Sequence, residues 1–71
     1  MKKWIGYEAQ NDYIIEIDRQ YISRITHYCR SYKLYYRIRP ADGLVRFELP
    51  KWVWTEAELM KLNKFIDELL K

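Results

Sequence analysis

The residues in this sequence with the clearest chemistry are arginines concentrated in the middle of the chain. From Arg19 to Arg46 there are seven basic residues and one acid, Asp42, so this stretch has a net charge of +6. The residues before it sum to −2 and those after it to −1, which leaves +3 overall. A guanidinium group contacts phosphate or carboxylate through parallel N–H donors. The pattern therefore predicts a surface for an anionic partner.

We expect five of these arginines and one tyrosine to form a nucleic-acid-binding face. The arginines would hold backbone phosphates of DNA or RNA, and the tyrosine ring would stack on a base or sugar. A lone helix followed by a basic hairpin lacks the second helix of a helix-turn-helix, so no named DNA-binding motif is predicted. The predicted site residues are Arg24, Arg30, Arg37, Arg39, Arg46 and Tyr35.

The arginines also allow two alternatives to nucleic-acid binding. They would be a solvated surface if they pair with the chain's own acids, such as Glu8, Glu16 and Glu48. Alternatively they would dock an acidic protein surface, as expected of a compact inhibitor or adaptor of the kind that phages direct against host enzymes or defences. A homodimer is a further alternative, because the many aromatic residues would suit an interface between two copies.

Catalysis is not predicted, because the sequence assembles no acid, base or nucleophile. His27 and Cys29 are the only histidine and cysteine, and two residues apart on a helix they diverge by roughly 200°. One histidine and one cysteine do not make a metal site, and two glycines do not build a phosphate loop. We therefore expect no enzyme, no cofactor and no metal, with Cys29 in the core and His27 on the surface.

Length and composition predict one small folded domain covering residues 1–71. The chain is 49% hydrophobic and 17% aromatic, which compensates for the small core of a 71-residue protein. Its single cysteine excludes an internal disulfide and points to a reducing compartment. The first residues lack the apolar segment of a signal peptide, and no apolar run approaches the roughly 20 residues of a membrane span. These features predict a cytoplasmic protein that does not contact membrane.

The first third of the chain predicts a hairpin followed by a helix. Residues 3–9 and 13–18 are rich in aromatic and β-branched residues, and turn formers separate them. Pairing across a three-residue loop puts the apolar residues on one face and leaves Trp4 and Ile14 on the polar side. Asp18 is a suitable N-cap for a helix that continues to about Tyr32. The predicted pairs are Ala9 with Tyr13, Tyr7 with Ile15, and Ile5 with Ile17.

The rest of the chain predicts a second hairpin and a second helix. Residues 34–39 and 44–49 flank Pro40-Ala41-Asp42-Gly43, and a four-residue loop aligns Arg37 with Arg46. Thr55 and Glu58 form a capping box, and Leu59, Leu62, Ile66, Leu69, Phe65 and Met60 make up the inner side of the helix that follows. The predicted class is α+β, in the order ββαββα, with two antiparallel hairpins packed with two helices.

Overall fold

The computed structural model describes residues 4–71, which form one α+β domain. Its four strands and two helices follow the predicted order ββαββα, so the predicted fold class is confirmed. The elements are β1 (Trp4–Glu8), β2 (Asp12–Asp18), a 3₁₀ turn (Arg19–Tyr21), α1 (Ile22–Ser31), β3 (Arg37–Ala41), β4 (Leu44–Pro50) and α2 (Glu56–Leu69).

The two hairpins join into a single antiparallel sheet, a point that the sequence left open. The strand order is β1-β2-β4-β3, so β2 and β4 form its centre and β1 and β3 its edges. Both helices contribute to the core on one side of this sheet. The other side, which we call the open face, has two cross-strand rows: Tyr7, Ile14, Glu48 and Arg37 in one, and Ile5, Glu16, Arg46 and Arg39 in the other.

The core lies between the covered side of the sheet and the two helices. Alternate residues of β2 and β4 point into it, as expected for strands with one buried face. Trp54 contributes the largest fully buried side chain, and its indole Nε1 donates to the carbonyl oxygen of Tyr35 at 2.8 Å. The buried cluster consists of Trp4, Ile15, Ile17, Ile25, Cys29, Leu34, Val45, Phe47, Leu49, Trp54, Leu62 and Ile66.

The first hairpin is formed, but its predicted register is wrong by one residue. Tyr7 pairs with Ile14 instead of Ile15, so Tyr7 and Ile5 point to the open face and Trp4 points into the core. The larger indole takes the buried side because it removes more apolar surface from water. Its Nε1 donates to Asp67 Oδ1 at 3.0 Å, which satisfies the polar end of the ring.

The second hairpin also differs from the predicted register, here by two residues. Its loop contains only Asp42 and Gly43, and Gly43 has a positive φ of 78° that glycine accepts without strain. A shift of two residues leaves every side chain on its predicted face. The residue opposite Arg46 is therefore Arg39, and Arg37 instead lies opposite Glu48.

The two prolines of this hairpin were expected outside the strands, and both lie within them. Pro40 is in the edge strand β3 and Pro50 is the last residue of β4. These positions accept proline because an edge strand or a strand end does not need every N–H for the ladder.

The helix caps follow the prediction closely. The Asp18 carboxylate accepts from the Gln20 amide at 3.0 Å, and the capping box between Thr55 and Glu58 is complete. Met60, which was expected on the inner side of the second helix, is exposed instead. Neither helix of the described residues is long and apolar enough to span a membrane.

Gly6 determines the placement of Trp4, which leads to a first prediction. A Cβ atom at residue 6 would lie 2.9 Å from Cζ3 of the indole. We expect Gly6→Ala to lower the free energy of unfolding by about 1–3 kcal/mol, because it overpacks this contact. Urea denaturation would measure the change. In a Trp4→Leu background the same substitution should cost much less, and an equal cost there would contradict a steric origin.

Candidate nucleic-acid interface

The fold divides the six predicted site residues between two surfaces. Arg37, Arg39 and Arg46 lie together on the open face, as their predicted alternation requires. Arg24 and Arg30 lie on α1, which packs against the opposite side of the sheet through Ile25 and Cys29. Tyr35 lies in the segment between α1 and β3. The structure therefore does not bring the five arginines onto one surface.

The open-face arginines are matched by carboxylates of the chain itself. Arg37 lies 3.0 Å from both Asp12 and Glu48, and Arg39 lies 3.5 Å from the same Glu48. The remaining pair joins Arg46 to Glu16 at 3.0 Å. Three guanidinium groups thus face three carboxylates, and the group has no net charge. This arrangement corresponds to the alternative in which the arginines pair with the chain's own acids.

The ionisation of these groups reflects their contacts. The Tyr7 hydroxyl donates to Glu16 at 2.7 Å and, together with Arg46, keeps the pKa of that carboxyl below its usual value. The hydrogen bond to Glu48 likewise raises the pKa of Arg37. Both shifts favour the charged forms of Glu16 and Arg37, so an incoming phosphate would compete with carboxylates already in place.

The cations of α1 and its C-terminal loop are in a different situation. Arg24, Arg30 and Lys33 are exposed, and within residues 4–71 no carboxylate lies within ion-pair distance of them. No acid occurs anywhere between Arg19 and Ala41. His27 also is exposed on this helix. This surface, which we call the α1 face, carries positive charge that the described residues leave unneutralised.

Lys33 was not among the predicted site residues, although it is basic and within the central stretch. Its φ of 57° places it in the left-handed region, where it ends α1. The Lys33 amide donates to the Arg30 carbonyl at 3.1 Å and the Leu34 amide to the Cys29 carbonyl at 2.8 Å, which is the Schellman pattern. Glycine is usual at this position. A lysine there puts a flexible cation where the chain leaves the helix.

Beside Lys33 the chain forms a shallow groove with basic and aromatic walls. Within it, Arg30 Nε donates to the Tyr36 hydroxyl oxygen at 3.1 Å, which orients the guanidinium and leaves its other N–H groups available. The groove, of about 580 Å³, is lined by Arg30, Lys33, Leu34, Tyr35 and Tyr36. Two predicted site residues, Arg30 and Tyr35, therefore meet in one place.

The histidine and cysteine behave as expected from their helical spacing. Cys29 is buried and His27 exposed, so the two side chains do not form a nucleophile and base. Burial raises the pKa of the Cys29 thiol to about 12, which keeps it protonated at neutral pH. Across residues 4–71, no group of three or more histidine, cysteine, aspartate or glutamate side chains is arranged to hold a metal ion.

Comparison with known proteins gives no relative: no protein-family model, no curated protein and no solved structure matches this chain. The chemistry of the two surfaces is therefore the evidence for a function.

The Cys29 environment generates a prediction about alkaline pH. Its pKa is about 12 in the folded chain, against 9.0 for an ordinary thiol. Unfolded chains would lose the thiol proton first, so the free energy of unfolding should fall as pH rises above about 9. Denaturant titrations at pH 8 and pH 10 should show a smaller loss for Cys29→Ala than for the wild type. Equal losses would mean that other groups, such as Tyr28, account for the whole effect.

Proposed function

We propose that this chain is a non-enzymatic, cytoplasmic accessory protein that binds nucleic acid through the α1 face and the adjoining groove. The observation that carries the proposal is the contrast between the two basic surfaces. Arginines of the open face are balanced by three carboxylates, whereas the α1 face has exposed cations without an acid partner in the described chain. A cation without an acid partner can neutralise a phosphate, and so release the counterion condensed on it, without first separating from a carboxylate.

The individual cations suit different parts of such a contact. Arg24 and Arg30 are six residues apart, about 9 Å along the helix axis, so they would meet different phosphates. Arg30 is held in orientation by Tyr36 and offers the fixed fork of donors that suits phosphate. Lys33 follows the end of the helix and adds a point charge on a flexible side chain. Tyr35 would add contact with a base or sugar.

The open-face arginines have a lesser part in this proposal. Arg37 and Arg46 each lie 3.0 Å from a carboxylate oxygen, and binding a phosphate there would require the guanidinium to leave that carboxylate. Arg39 has the longest of these contacts and is the most exposed of the three, so it is the one best able to reach a ligand. We therefore place the main interface on the α1 face and use the open face as an internal comparison.

The salt dependence of binding tests this assignment. Each phosphate contact on a single strand contributes about 0.7 to the slope of log K against log salt. We expect Arg30→Gln with Lys33→Gln to reduce that slope by about 1.4, measured by fluorescence anisotropy of a labelled oligonucleotide. The matched control is Arg37→Gln with Arg46→Gln. It also removes two positive charges, but from the open face, and should leave the slope nearly unchanged.

Two outcomes would count against the proposal. If the control pair lowers the slope as much as the α1 pair, total charge governs binding and the α1 face has no special role. If polyglutamate displaces the oligonucleotide at equal charge concentration, an acidic protein becomes the better partner, as expected of an inhibitor or adaptor. Circular dichroism and urea denaturation of each variant would show that its fold is retained.

Lys33 offers a test in which stability and binding change in opposite directions. The left-handed conformation costs a residue with a side chain about 1–2 kcal/mol, and glycine avoids this cost but orders a more flexible chain. We expect Lys33→Gly to be about 0.5 kcal/mol more stable in urea denaturation and to bind nucleic acid less tightly. Lys64→Ala, which removes an exposed charge from α2, should leave binding unchanged. Unaltered binding by Lys33→Gly would remove this residue from the interface.

A further inference from the structure

Trp52 is the most exposed large hydrophobic residue of the described chain, with 79% of its surface accessible. Trp54, two residues further on, is by contrast buried in the core. Indoles usually contribute to stability through burial, so an exposed one has its ring available for another contact.

The turn that carries Trp52 is well fixed. The amides of Val53 and Trp54 both donate to the Pro50 carbonyl, at 3.0 and 2.9 Å. Lys51, on the other side of Trp52, donates its amide to the Asn11 carbonyl at 2.9 Å. The Trp52 backbone is therefore held between hydrogen-bonded neighbours, and its ring is presented to solvent from a rigid position.

Tyr35 stands next to Trp52 and is fixed to the same turn. The Trp54 indole donates to the Tyr35 carbonyl at 2.8 Å, and the Tyr35 and Trp52 ring centroids are 6.2 Å apart with a 32° tilt. Tyr35 remains 52% exposed in this pair, so neither ring covers the other. The two rings form an open aromatic surface, which we call the Tyr35–Trp52 pair.

The Tyr35–Trp52 pair adjoins the cations of the proposed interface. Tyr35 lines the same groove as Arg30 and Lys33, and none of the described residues that line it is acidic. A ligand with an anionic backbone and flat apolar rings would therefore find both complementary surfaces side by side. Single-stranded nucleic acid has this combination, since its phosphates and the faces of its bases are accessible together. In a duplex the base faces are covered by their neighbours.

We infer that the Tyr35–Trp52 pair is a base-stacking subsite, and that the ligand of the α1 face is single-stranded nucleic acid. This inference rests on the proposed function and specifies its ligand. One base stacks on the exposed Trp52 ring, beside Tyr35, while phosphates near it contact Lys33 and Arg30. Stacking of this kind tolerates any base, so the expected preference is for strandedness rather than sequence.

The experiment compares three ligands of equal phosphate number: oligothymidylate, the same strand with abasic residues, and a duplex. Anisotropy with the full chain should show that Trp52→Ala weakens oligothymidylate binding by about tenfold, in line with the loss of one stacked base. Binding of the abasic strand and of the duplex should not change. Trp52→Phe should retain most of the affinity because it keeps an aromatic face. Met60→Ala, at a side chain that is 69% exposed on α2, is the matched control and should have no effect.

The possible failures of this inference and of the proposed function give different results. If Trp52→Ala binds oligothymidylate as the wild type does, the stacking subsite is wrong, while a reduced salt slope of the Arg30 and Lys33 variant would still support the phosphate interface. If Trp52→Ala weakens all three ligands equally, Trp52 acts through the fold or the charge and the inference also fails. If the wild type binds none of the ligands, both proposals are wrong.

Discussion

Two helices can cover only one side of this four-stranded sheet, and the distribution of charge follows from that limit. The covered side holds the buried cluster around Phe47 and Trp54. The open side has to be stable in water without a second layer, and its arginines pair there with carboxylates of neighbouring strands: Arg37 and Arg39 with Glu48, and Arg46 with Glu16. Such pairs contribute modestly each, but they offset the repulsion between Arg39 and Arg46, which face one another across β3 and β4. The three arginines that lie together on the sheet are thus the ones whose charge the chain's own carboxylates neutralise.

Positive charge without a partner is consequently found where the chain leaves the sheet. Helix α1 crosses the covered side with its outer surface in solvent, and the stretch from Arg19 to Ala41 contains no acid. The loop after α1 continues this surface into the groove beside Tyr35. The turn after β4 carries Trp52 and lies beside Tyr35. It therefore places an indole next to that groove, although Trp52 is distant in sequence from the other residues there. Basic and aromatic groups are brought together by the topology rather than by a local motif.

The sequence predicted features set by neighbouring residues and missed those set by distant ones. The Asp18 cap, the capping box of Thr55 and Glu58, and the element order depend on local spacing and are present. The register of the first hairpin was wrong because interior space for Trp4, opened by Gly6, outweighs the regular alternation of Ile5 and Tyr7. Counting charges along the chain overestimated the basic surface, because the acids Asp12 and Glu16 reach the arginines only through the pairing of β2 with β4. The positions of Lys33 and Trp52 depend on chain reversals whose geometry the composition does not specify.

The proline in β3 has a consequence for how copies of this protein can meet. Sheet edges carry unpaired donors and acceptors that invite another strand, and a proline removes a donor from such an edge. Strand β3 contains Pro40, whereas β1, at the opposite edge, contains none. Association of two copies through their sheet edges would therefore join β1 of one copy to β1 of the other. The two outer edges of the combined sheet would then both be β3 strands, each with its proline. Assembly by this route ends at two copies and does not extend into a fibre.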